Sequence, residues 1–292
     1  MMQDYLIPET VEQALSHLQS NKGRARVVAG GTDLLLDLAE GKKEAVVLVD
    51  LTRIPSLQAI TIEDETIKIG AAVTHNQVAR SKLIQERASV LARAARSVGS
   101  LQIRNIATVV GNVVNAQPAA DTAVALVALG AVAEVVSPSG KEYIPVEKLY
   151  AGVGKSILDS STQIVTRIQF PALLKNQGSA YERLEQRKAL ALPMLNVAVV
   201  VSLADNQFQW ARIVMAPVGP GPVRATEAEA FLKGADVTLE NIEKAAAAAR
   251  AQANPRSSAL RGSREYRLEV LPVLVRRALE AAVAQAGGNC KQ

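Results

Sequence analysis

The stretch Val27-Val28-Ala29-Gly30-Gly31-Thr32-Asp33-Leu34-Leu35-Leu36 decides how the rest of the chain is read. A short apolar run stops at two glycines, and a Thr-Asp pair leads into leucines. This pattern predicts a strand, a tight turn and the start of a helix. Paired glycines admit backbone angles closed to other residues and put no side chain in a ligand's way. Successive N–H groups can then face one concavity, beside the partial positive charge of a helix start. Phosphate or pyrophosphate suits such a site. An ordinary strand-to-helix turn, with Thr32 or Asp33 as the helix cap, explains the same residues, because short glycine motifs are common.

Outward from this stretch, the chain reads as βαβ at its beginning. Tyr5 to Ile7 is a strand candidate. Thr10 and Gln13 have capping-box spacing ahead of Val11, Leu15 and Leu18. Arg26 to Ala29 enters the glycine turn, Leu34 to Ala39 leaves it as a helix, and Ala45 to Asp50 is a buried strand. The spacing of the G-x-G-x-x-G fingerprint is absent, so this is not a Rossmann unit. Period-two runs at Ala59–Ile62 and Ile67–Gly70 predict a hairpin turning at Glu63 to Glu65. Thr74 and Gln77 repeat the capping-box spacing, and Val90 to Val98 is an Ala- and Arg-rich helix.

A second glycine-bearing loop is expected from Ser100 to Asp121. Asn112, Asn115, Gln117 and Asp121 are polar in an otherwise apolar neighbourhood, and buried polar groups need partners. They either satisfy the loop backbone or contact a polar ligand such as a ribityl chain. An apolar helix (Thr122 to Leu129), a hairpin around Pro138-Ser139-Gly140 and a strand from Gln163 to Phe170 follow. Composition shifts at Ala172 to Gly178, where a domain boundary is expected. Beyond it, Ala180 to Arg187, Asn196 to Ala204 and Gln209 to Ala216 read as antiparallel strands. Thr226 to Leu232, Leu239 to Ala253 and Ser263 to Ala286 read as helices, giving an α+β layer.

Composition narrows the function. The chain has 292 residues, 49% hydrophobic, enough for two cores. The net charge of +5 is scattered, and aromatics are only 3%, so a nucleic-acid binder with a basic stripe and stacking platforms is not expected. One cysteine, Cys290, excludes an intrachain disulfide and a cysteine-ligated iron–sulfur cluster held by this chain alone. It points to a reducing compartment, the cytoplasm. Met1 to Tyr5 carry no basic and apolar leader, and the apolar stretch Ala119 to Val136 is broken by Asp121, Gly130 and Glu134, so no membrane span is expected. His17 and His75 are read as surface helix residues rather than metal ligands.

Ala29-Gly30-Gly31-Thr32-Asp33-Leu34 together with Ile103-Arg104-Asn105-Ile106-Ala107-Thr108-Val109-Val110-Gly111-Asn112 resembles the FAD-binding medium subunit of molybdenum hydroxylases, the xanthine dehydrogenase and aerobic CO dehydrogenase type. Thr162 to Val165 with Phe170-Pro171, and the tail motifs Arg261 to Arg267 and Val273 to Leu279, extend the resemblance over nearly the whole chain. It implies an α+β fold: a vanillyl-alcohol-oxidase-type FAD-binding domain at 1–174, of two subdomains (about 1–56 and 57–174), then a C-terminal domain at 175–292 with a three-stranded antiparallel sheet plus helices. It implies FAD as cofactor, with a molybdopterin-binding large subunit, a [2Fe-2S] small subunit and NAD or another electron acceptor as partners. Residue by residue, Val27, Val28, Ala29, Gly30, Gly31, Thr32, Asp33 and Leu34 would cradle the pyrophosphate. Thr108 and the turn Val109, Val110, Gly111 and Asn112 would add the second phosphate contact. Asp121 would bond the ribityl chain. Ile164 or Val165 would meet the adenine by its backbone. Ile103, Asn115, Arg183 and Leu192 complete the implied site, Leu192 near the flavin ring.

The sequence departs from the family pattern at three places. Val110-Gly111 stands where the family has Gly-Gly, Arg183 where it has a lysine, and Ala191 where it has an acid. Arginine keeps the charge of lysine but not its shape. These departures put NAD specificity in question more than FAD binding. They also leave open a non-redox nucleotide-binding or assembly module; a stand-alone FAD reductase of the same FAD fold is a third reading, which the C-terminal motifs fit less well.

Overall fold

A computed structural model describes residues 3–44, 46–187 and 190–290. Ala45 in the expected third strand, and Lys188 and Ala189 within the Arg187–Leu192 motif, lie outside the described residues, as do Met1 and Met2.

The first sheet is the predicted βαβ unit. Asp4–Leu6, Val47–Asp50 and Ala25–Val28 lie side by side in that order, both pairs parallel. All four residues of Val47–Asp50 are buried, as expected of a central parallel strand covered on both faces. The helix Val11–Ser20 begins at Thr10, whose side chain accepts from the Gln13 N–H, and buries Ala14 and Leu18. The helix Leu34–Ala39 forms after the glycines but buries none of its residues: Leu35 and Leu36 are 50% and 62% exposed. Apolar residues here do not mark a core face.

The second sheet is wholly antiparallel, in the order Ile60–Glu63, Thr66–Gly70, Ile164–Pro171, Val132–Ser137, Gly140–Pro145. The predicted hairpin turns at Asp64 and Glu65, both at positive φ. The helix Asp121–Ala128, packed against Ser89–Ser97 and the strands Leu195–Ala204 and Gln207–Ala216, is buried at every residue. That explains an apolar run without helical periodicity: the helix has no solvent face. Thr74 and Gln77 form a complete capping box on His75–Arg80.

The segment Ser100 to Asp121 differs from the expected loop. Leu101–Arg104 and Val109–Val114 are short helices, capped by Ser100 and Thr108 through their side-chain hydroxyls. Each has a hydroxyl residue three positions before the N–H whose hydrogen bond it accepts.

The third sheet runs Gln177–Leu184, Leu195–Ala204, Gln207–Ala216, Val223–Arg224. The first three strands are those predicted; a fourth, two-residue strand falls just past the Pro-Gly breaker. Asp205 and Asn206 turn the hairpin at φ 51° and 56°. Leu195–Ala204 is buried on both faces. Leu195, Val197, Val199 and Val201 face the helices Leu239–Ala251 and Arg264–Gln285 in one core. Ala198 and Val200 join the other core, with the helix Asp121–Ala128. The sheet is thus the wall shared by two cores, and residues of its first strand reach the functional site. No helix among the described residues is long and apolar enough to cross a membrane.

Candidate functional site

The strand Ala25–Val28 delivers the chain into the glycine turn. Gly31 takes φ +67°, a left-handed conformation that glycine adopts without strain. The N–H groups of Gly30, Gly31, Thr32, Asp33 and Leu34 find no acceptor among the described residues. Neither Thr32 nor Asp33 caps the following helix: Asp33 makes no capping bond, and Thr32 Oγ1 reaches only Asp33 Oδ2, at 3.4 Å. The ordinary-turn explanation needed that cap. What stands instead is a run of five unengaged donors.

Opposite this run lies the second segment. A Cβ at Gly30 would sit 2.8 Å from Ala107 Cα and closer still to the Ile106 carbonyl oxygen. Gly30 is therefore where the two glycine-bearing segments touch. Between them opens a cleft of about 510 Å3, lined by Ala29, Gly30, Thr74, Asn105, Ile106 and Thr108, among others. The second segment is mostly self-satisfied. Gly111 N–H donates to Thr108 Oγ1 at 3.0 Å, Val109 N–H to the Val73 carbonyl at 3.1 Å, and Asn112 N–H to the Thr108 carbonyl at 3.0 Å. Of the predicted contacts there, the N–H groups of Thr108 and Val110 alone are without an acceptor among the described residues.

Asp121 opens the buried helix and collects donors from the third sheet. Its Oδ1 accepts from Arg183 Nε at 3.0 Å, from Asn196 Nδ2 at 3.3 Å and from the Tyr181 hydroxyl. None of these donors meets Oδ2. Burial pushes the Asp121 carboxyl above its ordinary range, against the pull of Arg183, Tyr181 and Asn196. The same burial, with the Asp121 charge beside it, holds the Tyr181 hydroxyl well up. Arg183 also donates to the Ala191 carbonyl and pairs with Glu185, which ties the Leu190–Leu192 stretch to Asp121. Tyr181 and Asn196 escaped the sequence reading, because nothing in an alternating apolar strand marks which inward polar residue will meet a partner from a distant helix. Asn112 accepts from Thr122 Oγ1 at 2.8 Å, and Asn115 ends the helix Val109–Val114.

Ile164 and Val165 lie elsewhere, buried in the second sheet and paired with Val136 and Val135. Their other edge is not taken by Thr66–Gly70, whose pairing stops at Arg167. The sheet and the glycine turn are linked, because Val27 N–H donates to the Ser160 carbonyl at 3.2 Å. Ile103 and Ile106 are exposed, at 38% and 56%, on the second segment, and Leu192 is 60% exposed on the stretch that Arg183 ties to Asp121.

One expectation is corrected. His75 is not a surface residue: it is 1% exposed, with neither ring nitrogen bonded among the described residues. Burial, reinforced by the Arg104 charge, lowers its pKa to about 4, so the ring is neutral. Its backbone N–H donates to the Ala107 carbonyl, behind the second segment. The helical pattern failed to identify it because His75–Arg80 packs against Ser89–Ser97 and buries His75 with Val78 and Ala79, while the adjoining Asn76 and Gln77 are not buried.

Residues 1–173 match the family model described as the FAD binding domain in molybdopterin dehydrogenase. The chain belongs to this family. It is an oxidoreductase subunit whose cofactor is FAD. Residues 179–282 match the model of the CO dehydrogenase flavoprotein C-terminal domain. The flavoprotein is 31% identical over 282 residues to a xanthine dehydrogenase FAD-binding subunit of Escherichia coli O157:H7, covering 96% of both chains. It is 30% identical to the carbon monoxide dehydrogenase medium chain of Hydrogenophaga pseudoflava, covering 97% of both. A solved structure of carbon monoxide dehydrogenase from that organism superimposes with a TM-score of 0.92 at 30% identity, over 98% of each chain.

Proposed function

We propose that this flavoprotein is the electron-transfer subunit of a molybdenum hydroxylase complex. It would take electrons from [2Fe-2S] clusters on a small partner subunit, upstream of which a molybdopterin-binding large subunit oxidises the substrate. It would pass them to NAD+ or another acceptor. Bound FAD supplies the redox chemistry, and the protein's part is to hold it, orient it and set its surroundings. A chain with a single cysteine suits the cytoplasm, the compartment proposed for it.

The observation that carries this reading is the run of free N–H groups from Gly30 to Leu34, which starts at the wall of a cleft that Ile106 and Thr108 line with Gly30. Such a concavity fits a pyrophosphate, which needs several donors and no side chain between. Val27 to Ala29 would bring the backbone to it. Thr108 and Val110 N–H groups would complete the cradle, with Gly111 and Asn112 shaping it from behind. Asp121, through its uncommitted Oδ2, and Asn115 would receive ribityl hydroxyls, and the free strand edge at Ile164 and Val165 would meet the adenine. Ile103 and Leu192 would cover apolar ring surface, with Arg183 positioned by Asp121 beside it. The FAD-binding part would end at about residue 174, in two subdomains meeting near residue 56, with 175–292 forming the C-terminal domain. No side chain is assigned covalent chemistry.

The test is the visible spectrum of the purified chain, with the nucleotide released by acid identified and counted. One FAD per chain, bleached reversibly by dithionite, is the expected result. A complex rebuilt without this chain should then reduce an artificial dye at the molybdenum site but not NAD+. No flavin, even with excess FAD and partner subunits present, overturns the reading in favour of an assembly module that kept the fold.

A further inference from the structure

Two buried residues of the third sheet, Tyr181 and Asn196, have no part in the function derived so far. Arg183 and Asn196 stand directly opposite each other where Gln177–Leu184 pairs with Leu195–Ala204, and Tyr181 lies two residues back along the first strand. Alternation puts all three on one face of the sheet, beside Ala198, Val200, Val214 and Ala216 of the core that includes the helix Asp121–Ala128. Tyr181 is 7% exposed, Asn196 0% and Asp121 5%.

These side chains converge on a single atom. Arg183 Nε and Asn196 Nδ2 donate to Asp121 Oδ1 at 3.0 and 3.3 Å, and the Tyr181 hydroxyl donates to the same oxygen. Asn196 Nδ2 also reaches the Tyr181 hydroxyl oxygen at 3.2 Å, so the two brace each other. A cluster that only glued the sheet to the helix would share its donors between both carboxylate oxygens, each of which accepts about two hydrogen bonds. Here Oδ1 is crowded, and Oδ2 meets no donor among the described residues. Arg183 does not form the usual two-pronged pair with the carboxylate. It gives Asp121 only Nε, while its other nitrogens serve the Ala191 carbonyl and Glu185. Asn196 Oδ1 is buried without a partner, so the amide is held donor-first toward Asp121 at the expense of its own acceptor.

We propose that Tyr181 and Asn196 are positioning residues for the cofactor: by saturating Asp121 Oδ1 they present Oδ2 alone, as a fixed acceptor, to the ribityl hydroxyls. The proposal rests on the FAD reading and on the place given there to Asp121. A carboxylate free to turn about its last bond offers either oxygen, whereas one pinned through Oδ1 offers one direction. Burial by itself favours the protonated carboxyl, which is a poorer acceptor; donors on Oδ1 oppose that and keep the charge. Tyr181 and Asn196 thus act on the cofactor only through Asp121.

The test is a double-mutant cycle on FAD affinity. The full chain in its complex is stripped of flavin and titrated with FAD, and flavin fluorescence is followed. Tyr181→Phe removes the hydroxyl and keeps the ring. Alone it raises the dissociation constant by about ten-fold, as expected for one lost hydrogen bond to a charged group. With Asp121→Asn already in place it adds less than about two-fold, because the group it acted through has changed. Asn196→Ala follows the same pattern and carries the cycle if Tyr181→Phe does not fold. ADP shares the pyrophosphate and adenosine of FAD but has no ribityl chain, and its affinity stays at the wild-type value in Tyr181→Phe. Wild-type FAD affinity in both Tyr181→Phe and Asn196→Ala overturns the proposal. So does an equal loss in both backgrounds, or a parallel loss of ADP affinity; the cluster is then glue between sheet and helix. Asp121→Asn with unchanged FAD affinity overturns it at the ribityl contact, while one FAD per wild-type chain leaves the FAD reading standing. A wild-type chain that takes up no flavin removes that reading, and the proposal with it.

Discussion

The two glycine-bearing segments meet at Gly30, yet they solve opposite problems. The first, Gly30 to Leu34, leaves five consecutive N–H groups without an acceptor and ends in a helix that buries nothing. The second, Ser100 to Asn115, folds into two capped helices and spends most of its donors on itself and on Val73. Buried or half-buried donors without partners are costly, so a chain tolerates a row of them only where something else completes the bonds. On the proposed reading the first segment would give its free donors to the pyrophosphate, and the second would supply the wall against which it is held. Similar sequence signals, glycine beside Thr and an amide or acid, hide this division.

The sharpest way to break the comparison is at the point of contact. Gly30→Ala places a methyl group against the backbone of Ile106 and Ala107, with no flexible side chain to give way. The two segments must then part. Overpacking of this kind costs about 3 kcal/mol, and if it falls on the bound state it weakens FAD binding by about 100-fold. The chain should purify folded by circular dichroism but without yellow colour. A variant that keeps full FAD would show that the first segment can carry the pyrophosphate without its wall.

The wall itself should be pH-sensitive where the first segment is not. His75 lies buried behind it with its pKa lowered from 6.5 to about 4. Between those values the unfolded chain binds a proton that the folded chain refuses. The stability is thus fully present above about pH 6.5 and is lost as pH falls toward 4, by roughly 3 kcal/mol in all. Replacing the ring by an apolar one, His75→Phe, should flatten the fall between pH 6.5 and 5, where most carboxylates stay ionised. Urea melts at several pH values measure this directly; a wild-type slope retained in the variant would place the sensitivity elsewhere.

The fold was largely legible because its signals are local. The hairpin turns at Asp64-Glu65 and Asp205-Asn206, the capping box at Thr74 and Gln77, and the helix Thr226–Leu232 each rest on residues adjacent in sequence. The glycine turn was legible for the same reason. Its open donors were not, because whether Thr32 or Asp33 turns back to cap the helix depends on geometry that both residue types permit. The cluster around Asp121 was half legible. The acid stands out in an apolar run, but Tyr181 and Asn196 come from strands sixty or more positions away. His75 was misread because a helix start that packs against a neighbouring helix looks, in sequence, like any exposed first turn.

The smallest effect should come from the second segment's own cap, and it separates scaffold from ligand site most cleanly. Thr108 is 3% exposed, and its hydroxyl oxygen accepts the Gly111 N–H that would otherwise be free to bind a phosphate. Thr108→Val removes the acceptor while keeping the shape. Loss of a helix cap costs about 1 kcal/mol, which in a chain of this size lowers Tm by about 2–4 °C. The freed Gly111 N–H would then have nothing of the protein to receive it, one turn from Thr108 at the wall of the cleft. Added FAD should restore part of the lost stability in this variant, because the cofactor can take up that donor, and Thr108→Ser should behave as wild type. If FAD instead stabilises Thr108→Val less than it stabilises the wild type, the hydroxyl itself contacts the cofactor, and the second segment is a ligand site as much as a wall.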